Sequence, residues 1–387
     1  MQKMQPTKNK IFCPLPFIQI GTNTSGDIQI CCVAKPFSFN LGTNSLEEIW
    51  NSEEYQEVRN KFLNGEWPTT CSGCKTREEQ TGISCRANMC KKWEKLDVKL
   101  SSQMSIDSIK GMDTRFGNLC NLKCRMCIPI FSNLIAKEEQ LEESFNLNLN
   151  KWLNSDKTYD NIKKIIPTLK YLKIEGAEPS INSTAFKVLN MIIDQNLNSK
   201  ITIDTTTNLT NANFQNILKE FNNVELQVSI DGYEKINDYI RYPSKWNTIV
   251  KNLNIYSNMP NVKIKINHTV QLSNIIYVAD FINWYQKNYF NKNNVILIIN
   301  TVRNPSFLAC NHLPENLKKI TLEKILKLEN LLTIKDVKPL VKMLMFKESQ
   351  EIHDANWNQF ISYTKKLDAR RNQNILDVVP EFSSYFK

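Results

Sequence analysis

Short apolar runs alternate with longer helical patterns between residues 104 and 310 of this chain. The strand candidates are Met112–Phe116, Tyr171–Glu175, Ile201–Thr205, Glu225–Ile230, Val262–His268 and Val295–Asn300. Apolar positions recur at helical spacing near residues 131–145, 183–196, 213–221, 246–257 and 274–289. Such repeated strand–helix units predict an α/β fold with a parallel sheet. Six units predict a partial (β/α)6 barrel of the TIM type, with its chemistry at the carboxyl ends of the strands.

The two flanking regions have different patterns. Residues 1–98 contain seven cysteines and several glycines but few long periodic runs, which predicts a loop-rich module stapled by metal. One helix is expected there, capped by Ser45 and extending through Phe62. After Pro314, apolar residues at helical spacing predict a helical C-terminal segment: Leu317, Ile320, Ile325, Leu328 and Leu331. The predicted domains are therefore residues 1–98, 99–310 and 311–387.

Composition and charge narrow the class of protein. The formal charge of +10 would attract nucleic acid or an acidic peptide, but the lysines are scattered among asparagines, and only Arg370 and Arg371 form a local cluster. No apolar run reaches the roughly 18 residues of a membrane span, and the N-terminal MQKMQPTKNK lacks the apolar stretch of a signal peptide. We therefore expect a cytoplasmic protein without a membrane partner. Its eleven cysteines then predict metal ligands or reactive thiols rather than disulfides.

Three of these cysteines follow directly on the first predicted strand, in FGNLCNLKCRMC. The spacing of Cys120, Cys124 and Cys127 lets three thiolates converge on one face of a cluster, and soft sulfur ligands are what iron–sulfur clusters select. The loop offers no fourth protein ligand, which leaves one iron open to an exogenous ligand. A structural zinc site is the alternative, although zinc usually takes four protein ligands.

The spacing C-x-x-x-C-x-x-C in this place resembles the defining motif of the radical S-adenosylmethionine (radical SAM) superfamily. The resemblance implies that the open iron binds the amino and carboxylate groups of S-adenosylmethionine. One electron from the 4Fe–4S cluster would then cleave the cofactor to a 5′-deoxyadenosyl radical, with the protein supplying orientation. The family often has an aromatic residue before the third cysteine. Here that residue is Met126, whose backbone is expected to contact adenine.

The segment LKIEGAEP resembles the family's GGEP motif, at the end of the second predicted strand. Gly176, Ala177, Glu178 and Pro179 occupy its positions, and the resemblance implies that its edge receives the methionyl amino group. Ala177 replaces the second glycine. A backbone conformation that requires glycine is therefore expected to be excluded at this residue.

Three later strand ends resemble the remaining cofactor contacts of the family. TTTNLT supplies Thr207 and Asn208 for a ribose contact, and VSIDG supplies Ser229, followed closely by Asp231. Arg241, in YIRYP, matches the arginine that meets the cofactor carboxylate in many members. Arginine suits this role because its planar fork pairs bidentately with a carboxylate.

A second set of cysteines lies in the N-terminal region. Cys13 is followed by Gly26 and Cys31, and CSGC supplies Cys71 and Cys74. This arrangement resembles the auxiliary-cluster modules SPASM and twitch, which implies one auxiliary 4Fe–4S cluster held by these four cysteines, with the glycine permitting a tight turn. A four-cysteine zinc knuckle is the alternative. In most relatives the module follows the barrel, whereas here it precedes it.

Four cysteines remain unassigned: Cys32, Cys85, Cys90 and Cys310. Cys32 is an alternative ligand to Cys31, and the spacing of Cys85 and Cys90 from Cys74 is longer than the full SPASM pattern expects. These cysteines would complete a further cluster, but we favour the twitch-like arrangement with one. Cys310 is expected to be a buried thiol.

The resemblance implies a radical SAM enzyme that abstracts hydrogen from a substrate. Because SPASM and twitch relatives often modify peptides or proteins, a peptide or protein is the expected substrate, with an electron donor such as flavodoxin or ferredoxin. Two alternatives stay open. One is an enzyme that modifies RNA or a nucleotide, whose binding would weaken with salt. The other is a non-catalytic binding protein stapled by zinc.

Overall fold

The computed structural model describes residues 11–82, 84–96, 99–328, 334–346 and 348–387. The segment MQKMQPTKNK, Leu331 and the predicted boundary at residue 98 lie outside these residues. The described part of the chain contains eight strands: β1 (Gln19–Thr22), β2 (Ile28–Gln29), β3 (Gly111–Arg115), β4 (Tyr171–Glu175), β5 (Thr202–Thr207), β6 (Val224–Ser229), β7 (Val262–Val270) and β8 (Val295–Thr301). All six predicted strands are present, with ends that differ by at most two residues. The predicted α/β class is confirmed.

The strands form one mostly parallel sheet in the order β2-β1-β3-β4-β5-β6-β7-β8. β3 pairs in parallel with β1 and β4, β4 with β5, and β7 with β8. β2 is antiparallel to β1. The parallel order places the residues that follow β3 to β8 at the carboxyl ends of their strands, where the sequence predicts the chemistry.

Alternating side chains give the strands two different faces. In β4, Leu172 and Ile174 are buried, whereas the intervening Lys173 and Glu175 are only partly buried. β7 repeats this pattern with Ile264 and other aliphatic residues at every second position. Because successive side chains point to opposite faces of a strand, one face of the sheet is apolar and the other is polar.

The sequence did not predict β1 and β2. They are four and two residues long. An alternating pattern needs more residues than this to be recognised, so the hydrophobic pattern carries no signal for them. As a result, the cysteine-rich N-terminal region contributes two strands to the same sheet.

Sixteen α-helices lie in the described residues. They are α1 (Leu15–Ile18), α2 (Leu46–Trp50), α3 (Glu53–Leu63), α4 (Ser72–Thr81), α5 (Cys85–Lys92), α6 (Asn133–Glu138), α7 (Glu143–Asn150), α8 (Asp156–Ile165), α9 (Ser183–Asp194), α10 (Gln215–Leu218), α11 (Lys235–Ile240), α12 (Trp246–Ser257), α13 (Val278–Tyr289), α14 (Glu315–Leu326), α15 (Ile334–Leu344) and α16 (Gln350–Arg371). No helix in this part of the chain is long and apolar enough to cross a membrane.

The predicted helix from Ser45 to Phe62 is in fact two helices. Ser45 caps α2 through a capping box with Glu48, and Ser52 caps α3 by accepting from the backbone N–H of Tyr55. A second serine cap inside an otherwise helical pattern starts a new helix, because its side chain competes for backbone donors. The helical pattern near 131–145 also divides into two helices, α6 and α7, but α7 begins without a side-chain cap.

The predicted C-terminal helical segment is confirmed as α14, α15 and α16. Leu317 and Ile325 are buried as expected, but Ile320 is 42% exposed and lies off the buried face. Trp357 and Phe360 of α16 pack against Phe382, with ring centroids 5.4 and 5.8 Å apart. The end of the chain therefore folds back onto its last long helix.

The chain divides into two compact units. The first contains Met1–Cys120, Pro129–Thr206 and Asn213–Val224, and the second contains Asn121–Ile128, Thr207–Ala212 and Glu225–Lys387. The predicted division at residues 98 and 310 stays a prediction. Since the loop with Cys120, Cys124 and Cys127 contributes to both units, its two parts are described separately below.

Trp152 fixes two loops of the N-terminal module within the first unit. Its indole Nε1 donates to the carbonyl of Thr24 at 3.0 Å. A Cβ atom at Gly26 would lie 2.5 Å from the Trp152 ring, and one at Gly42 would lie 2.8 Å from Trp152 Cβ. Gly26 also has a φ of +85°. The predicted tight turn at Gly26 is therefore confirmed, and close packing against the indole adds a second reason for glycine.

We predict that Gly26→Ala destabilises the chain more than Gly82→Ala. Gly82 has a φ of +70° but nothing within 4 Å of an added Cβ, so it reports backbone strain alone. Both substitutions should cost about 1–2 kcal/mol for a left-handed alanine. Gly26→Ala should cost about 1–3 kcal/mol more because of overpacking. Thermal unfolding of the two variants measures the difference, and equal midpoints would contradict the packing role of Trp152.

Candidate functional site

The first part of the cysteine loop runs from the end of β3 to Cys120 in the first unit. The backbone N–H of Cys120 donates to Asn133 Oδ1 at 2.9 Å. The buried Asn118 donates to Asn146 Oδ1 at 2.7 Å and accepts from Asn150 Nδ2 at 2.9 Å. Side chains from α6 and α7 therefore hold this part of the loop. The sequence analysis did not find these asparagines, because asparagine is common along the whole chain.

The GAEP segment follows β4 in the same unit. Gly176 and Ala177 both have positive φ, at +81° and +53°. The expectation that alanine would exclude such a conformation is wrong. Ala177 adopts it at a cost of about 1–2 kcal/mol relative to a right-handed conformation. A Cβ at Gly176 would lie 3.0 Å from Arg115 Cβ, so this first glycine is required by close packing as well.

Glu178 joins the GAEP segment to the cysteine loop. Its side chain is 1% exposed, so it is not the exposed loop acid that isolated glutamates usually are. Its backbone N–H donates to the carbonyl of Leu119 at 3.0 Å, and its carboxylate accepts from the N–H of Ser180 at 3.2 Å. Pro179 continues into a short 3-10 turn, after which Asn182 donates to the carbonyl of Phe116 at 2.6 Å. Hydrogen bonds to the carbonyls of Phe116 and Leu119 therefore fix the backbone before Cys120.

The second part of the loop lies in the second unit and contains Cys124 and Cys127. The N–H groups of Lys123 and Arg125 donate to the carbonyls of Tyr242 and Ile240, at 2.6 and 2.9 Å. The N–H of Cys127 donates to the carbonyl of Cys124 at 3.0 Å. This part of the loop therefore runs beside the segment that contains Arg241.

Arg241 lies between a carboxylate and a thiol. Its Nε is 2.7 Å from Oδ2 of the fully buried Asp231, and its Nη1 donates to Cys124 Sγ at 3.7 Å. Burial raises the pKa of Cys124, and the positive charge of Arg241 opposes that rise. Burial and the neighbouring Cys124 raise the pKa of Cys127 to about 12. Arg241 is thus the charge that favours the thiolate form of Cys124, the form that binds metal.

The remaining predicted cofactor contacts also lie in the second unit. Asn208 donates to Asn121 Oδ1 at 2.8 Å and accepts from Thr210, so it holds the residue that follows Cys120. Thr207 Oγ1 accepts from the N–H of Leu209 at 3.1 Å. Ser229 is partly buried at the end of β6. The side chain of Met126 packs against the apolar core of this unit.

Sequence reasoning missed Arg125, which anchors the loop to α16. Its side chain is 2% exposed, pairs with Asp368 at 2.5 Å and lies 3.6 Å from the ring centroid of Tyr239. Tyr239 also donates to Asp368 Oδ1 at 2.9 Å, and Tyr363 donates to the carbonyl of Arg125 at 2.7 Å. The sequence signal for this contact lay in the segment LDARR. Its basic residues stood out, but its acidic residue Asp368 is the one that pairs with the loop.

The predicted auxiliary ligands are neighbours in the first unit. Burial, together with the nearby thiols of Cys31 and Cys74, raises the pKa of Cys71 to about 12. The pKa of Cys13 is raised by burial and then by Cys31, with Cys71 among its other neighbours. Each of the four thiols therefore lies close enough to another to affect its ionisation.

Cys85 also belongs to this group of thiols. Its hydrogen bonds to Cys31 and Cys32 lower the pKa of both. Cys90 Sγ donates to the carbonyl of Phe12 at 3.3 Å and lies near Cys13. Cys310, in contrast, is fully buried in the apolar core of the second unit, as predicted.

In the described residues, no three His, Cys, Asp or Glu side chains are arranged as a ready-made metal site. The donor chemistry nevertheless fits iron–sulfur clusters, because both cysteine sets consist of thiols alone. Cys120, Cys124 and Cys127 are the residues that would hold one cluster, and Cys13, Cys31, Cys71 and Cys74 are those that would hold the other.

Residues 13–75 match the family model of SPASM, an iron-sulfur cluster-binding domain. The match spans all four predicted auxiliary ligands. The match confirms the resemblance of this region to the SPASM module. The three-cysteine loop after β3 resembles the radical SAM motif in its spacing.

Solved structures of low sequence identity resemble this chain in part. Native anSMEcpe with bound AdoMet has 15% identity and a TM-score of 0.42, over 62% of this chain and 67% of that chain. SuiB from Streptococcus suis, bound to S-adenosylmethionine, has 15% identity and a TM-score of 0.38, over 73% of this chain and 60% of that chain. At these identities the likeness concerns the fold alone. No curated protein matches the sequence.

If the chain cleaves S-adenosylmethionine as the resemblance implies, we predict that Arg241→Met lowers the rate of that cleavage roughly ten- to a hundredfold. This range corresponds to about 1.5–3 kcal/mol for a hydrogen bond to a charged group. The substitution removes the charge beside Cys124 and leaves Asp231 buried without its ion pair. Arg370→Met, at an exposed arginine of α16, is the matched control. The release of 5′-deoxyadenosine measures the effect, and equal rates in the two variants would contradict this role of Arg241.

Proposed function

We propose that Cys120, Cys124 and Cys127 hold a 4Fe–4S cluster whose open iron binds S-adenosylmethionine. The cluster would supply one electron to the bound cofactor, which would be cleaved to methionine and a 5′-deoxyadenosyl radical that abstracts hydrogen from the substrate. One observation carries this proposal. Each part of the cysteine loop is hydrogen-bonded to segments that the family resemblance assigns to the cofactor, by Glu178 in the first unit and by Asn208 and Arg241 in the second.

The residues of this chain have separate tasks in the proposed reaction. The backbone edge at Gly176–Pro179 would receive the methionyl amino group, held in place by the bond from Glu178 to Leu119. Arg241 would stabilise the thiolate of Cys124 and present its remaining N–H groups to the cofactor carboxylate. Asp231 keeps the guanidinium in one orientation, which lowers the entropy cost of that pairing. Thr207, Asn208 and Ser229 would contact the ribose side of the cofactor.

The SPASM domain would hold one auxiliary 4Fe–4S cluster through Cys13, Cys31, Cys71 and Cys74. Cys32 is the alternative to Cys31, because Cys85 contacts both thiols. An auxiliary cluster in this domain would accept an electron from the substrate or bind the substrate directly. A flavodoxin or ferredoxin is the proposed donor to the catalytic cluster, in the cytoplasm.

A peptide or protein is the proposed substrate. The subgroup resemblance favours it, and the polar face of the sheet in the first unit supports it. That face carries the carboxylates of Asp113, Glu175 and Asp204 against the cations of Lys173 and Arg115. An excess of carboxylates disfavours the phosphates of RNA and tolerates a peptide. RNA therefore remains the second candidate, supported only by the overall charge of +10.

The first test is anaerobic reconstitution of the full chain with iron and sulfide, followed by dithionite and S-adenosylmethionine. We expect about eight irons, four from each cluster, and release of 5′-deoxyadenosine. Cys124→Ala should abolish the product and remove about four irons. Cys310→Ala is the control, because that thiol lies in the apolar core, and it should retain iron and product. Bound zinc without product would contradict the enzyme reaction and indicate a metal-stapled binding protein.

The substrate class is tested by transfer of deuterium into 5′-deoxyadenosine. A hydrogen abstracted from the substrate ends in this product, so a perdeuterated substrate raises its mass by one unit. We expect the heavier product with a pool of perdeuterated peptides and the unlabelled mass with perdeuterated RNA. The reverse pattern would contradict the peptide proposal and favour RNA modification.

A further inference from the structure

One row of residues crosses five neighbouring strands in the first unit. The strand registers place Gln29 of β2 opposite Gly21 of β1, Gly21 opposite Asp113 of β3, and Asp113 opposite Lys173 of β4. Lys173 in turn lies opposite Asp204 of β5. Neighbouring strands are about 4.8 Å apart, so charges in adjacent positions of this row interact directly. The row places a lysine between two aspartates.

The charged side chains of this row lie on the polar face of the sheet. Met112 and Leu172, their neighbours along the chain, are fully buried in the apolar core. Lys173 Nζ is 3.9 Å from Asp113 Oδ2 and 2.8 Å from Glu175 Oε1, and its side chain is only 18% exposed. Asp204 accepts from the hydroxyl of Tyr171. Lys173 is therefore a well-fixed, largely buried cation.

The other end of the row reaches the auxiliary cysteines. Cys31 and Cys32 follow Gln29, the last residue of β2, by two and three positions. Gly21 carries no side chain in the row, and a Cβ there would lie 2.8 Å from the Gln29 carbonyl oxygen and 3.1 Å from that of Asp113. Gly21 therefore adds no side chain to the row between Gln29 and Asp113.

Electrostatic effects among these groups agree with their placement. Burial lowers the pKa of Lys173, but Asp113, Glu175 and Cys32 raise it more, so that its pKa lies above the usual value. Burial raises the pKa of Asp113, and Lys173 opposes the rise. One buried oxygen of Asp113, Oδ1, has no hydrogen-bond partner. These charges belong to the same row that ends at Gln29, two residues before Cys31.

We propose that Lys173, positioned by Asp113 and Glu175, is the cationic partner of the auxiliary cluster and raises its reduction potential. The proposal rests on the auxiliary cluster proposed above. The reduction potential of an iron–sulfur cluster depends on its net charge, on hydrogen bonds to its sulfurs and on its solvent exposure. A buried cation favours the reduced, more negative form, and little water lies near it to screen the effect. Lys173 would act on the cluster through its charge and would not be a metal ligand.

The experiment measures the midpoint potential of the auxiliary cluster by titration followed by electron paramagnetic resonance. It uses the full chain with Cys120, Cys124 and Cys127 replaced by alanine, so that only the auxiliary cluster gives a signal. Lys173→Met removes the charge, and Lys173→Arg retains it. Lys265→Met is the matched control, because Lys265 is also paired with a glutamate across neighbouring strands, at 2.6 Å from Glu225, but belongs to the second unit.

We expect Lys173→Met to shift the midpoint to a more negative potential. Lys173→Arg and Lys265→Met should retain the parental value. Asp113→Asn removes a negative charge and should shift the midpoint in the positive direction, which a loss of folding would not do. If Lys173→Met and Asp113→Asn both bind iron and both keep the parental potential, the role of Lys173 is contradicted, whereas the auxiliary cluster is not. A parent chain that binds no iron in the SPASM domain would contradict the auxiliary cluster as well.

Discussion

Hydrogen bonding between the cysteine loop and the segments that follow other strands is the constraint on which the rest of the site depends. Within each unit, polar groups of these segments hydrogen-bond to the loop. Glu178 fixes the backbone before Cys120, Asn208 fixes Asn121 after it, and the carbonyls of Ile240 and Tyr242 fix the part that carries Cys124. These hydrogen bonds hold the backbone that carries the thiols, and the backbone in turn positions the thiols.

Electrostatics supplements this geometry. Burial disfavours thiolates, yet thiolates are what a cluster needs, so a fixed cation near the cysteines would favour cluster binding. Arg241 is held by Asp231 beside Cys124, and Lys173, the proposed partner of the auxiliary cluster, is held by Asp113. In both cases a buried carboxylate orients the cation. Each of the two clusters would thus be stabilised by a cation that a buried carboxylate holds in place.

The hydrophobic pattern was sufficient to predict the six βα strands and the loop that follows each of them, because alternation and helical spacing persist over many residues. The pattern was insufficient for very short strands and for contacts between residues that lie far apart in the sequence. β2 has two residues, and the Arg125–Asp368 ion pair joins positions far apart in the sequence. Ala177 shows a third limit. Its side chain disfavours positive φ, but the surrounding fold imposes that conformation.

The central claim, that the open iron of the catalytic cluster binds S-adenosylmethionine, is tested most directly by electron–nuclear double resonance. The reduced chain, with Cys71 and Cys74 replaced by alanine to silence the auxiliary cluster, is mixed with S-adenosylmethionine labelled with 15N in its amino group and 17O in its carboxylate. The account predicts hyperfine coupling from both labels to the cluster. A reduced cluster that shows no coupling to either label would contradict it.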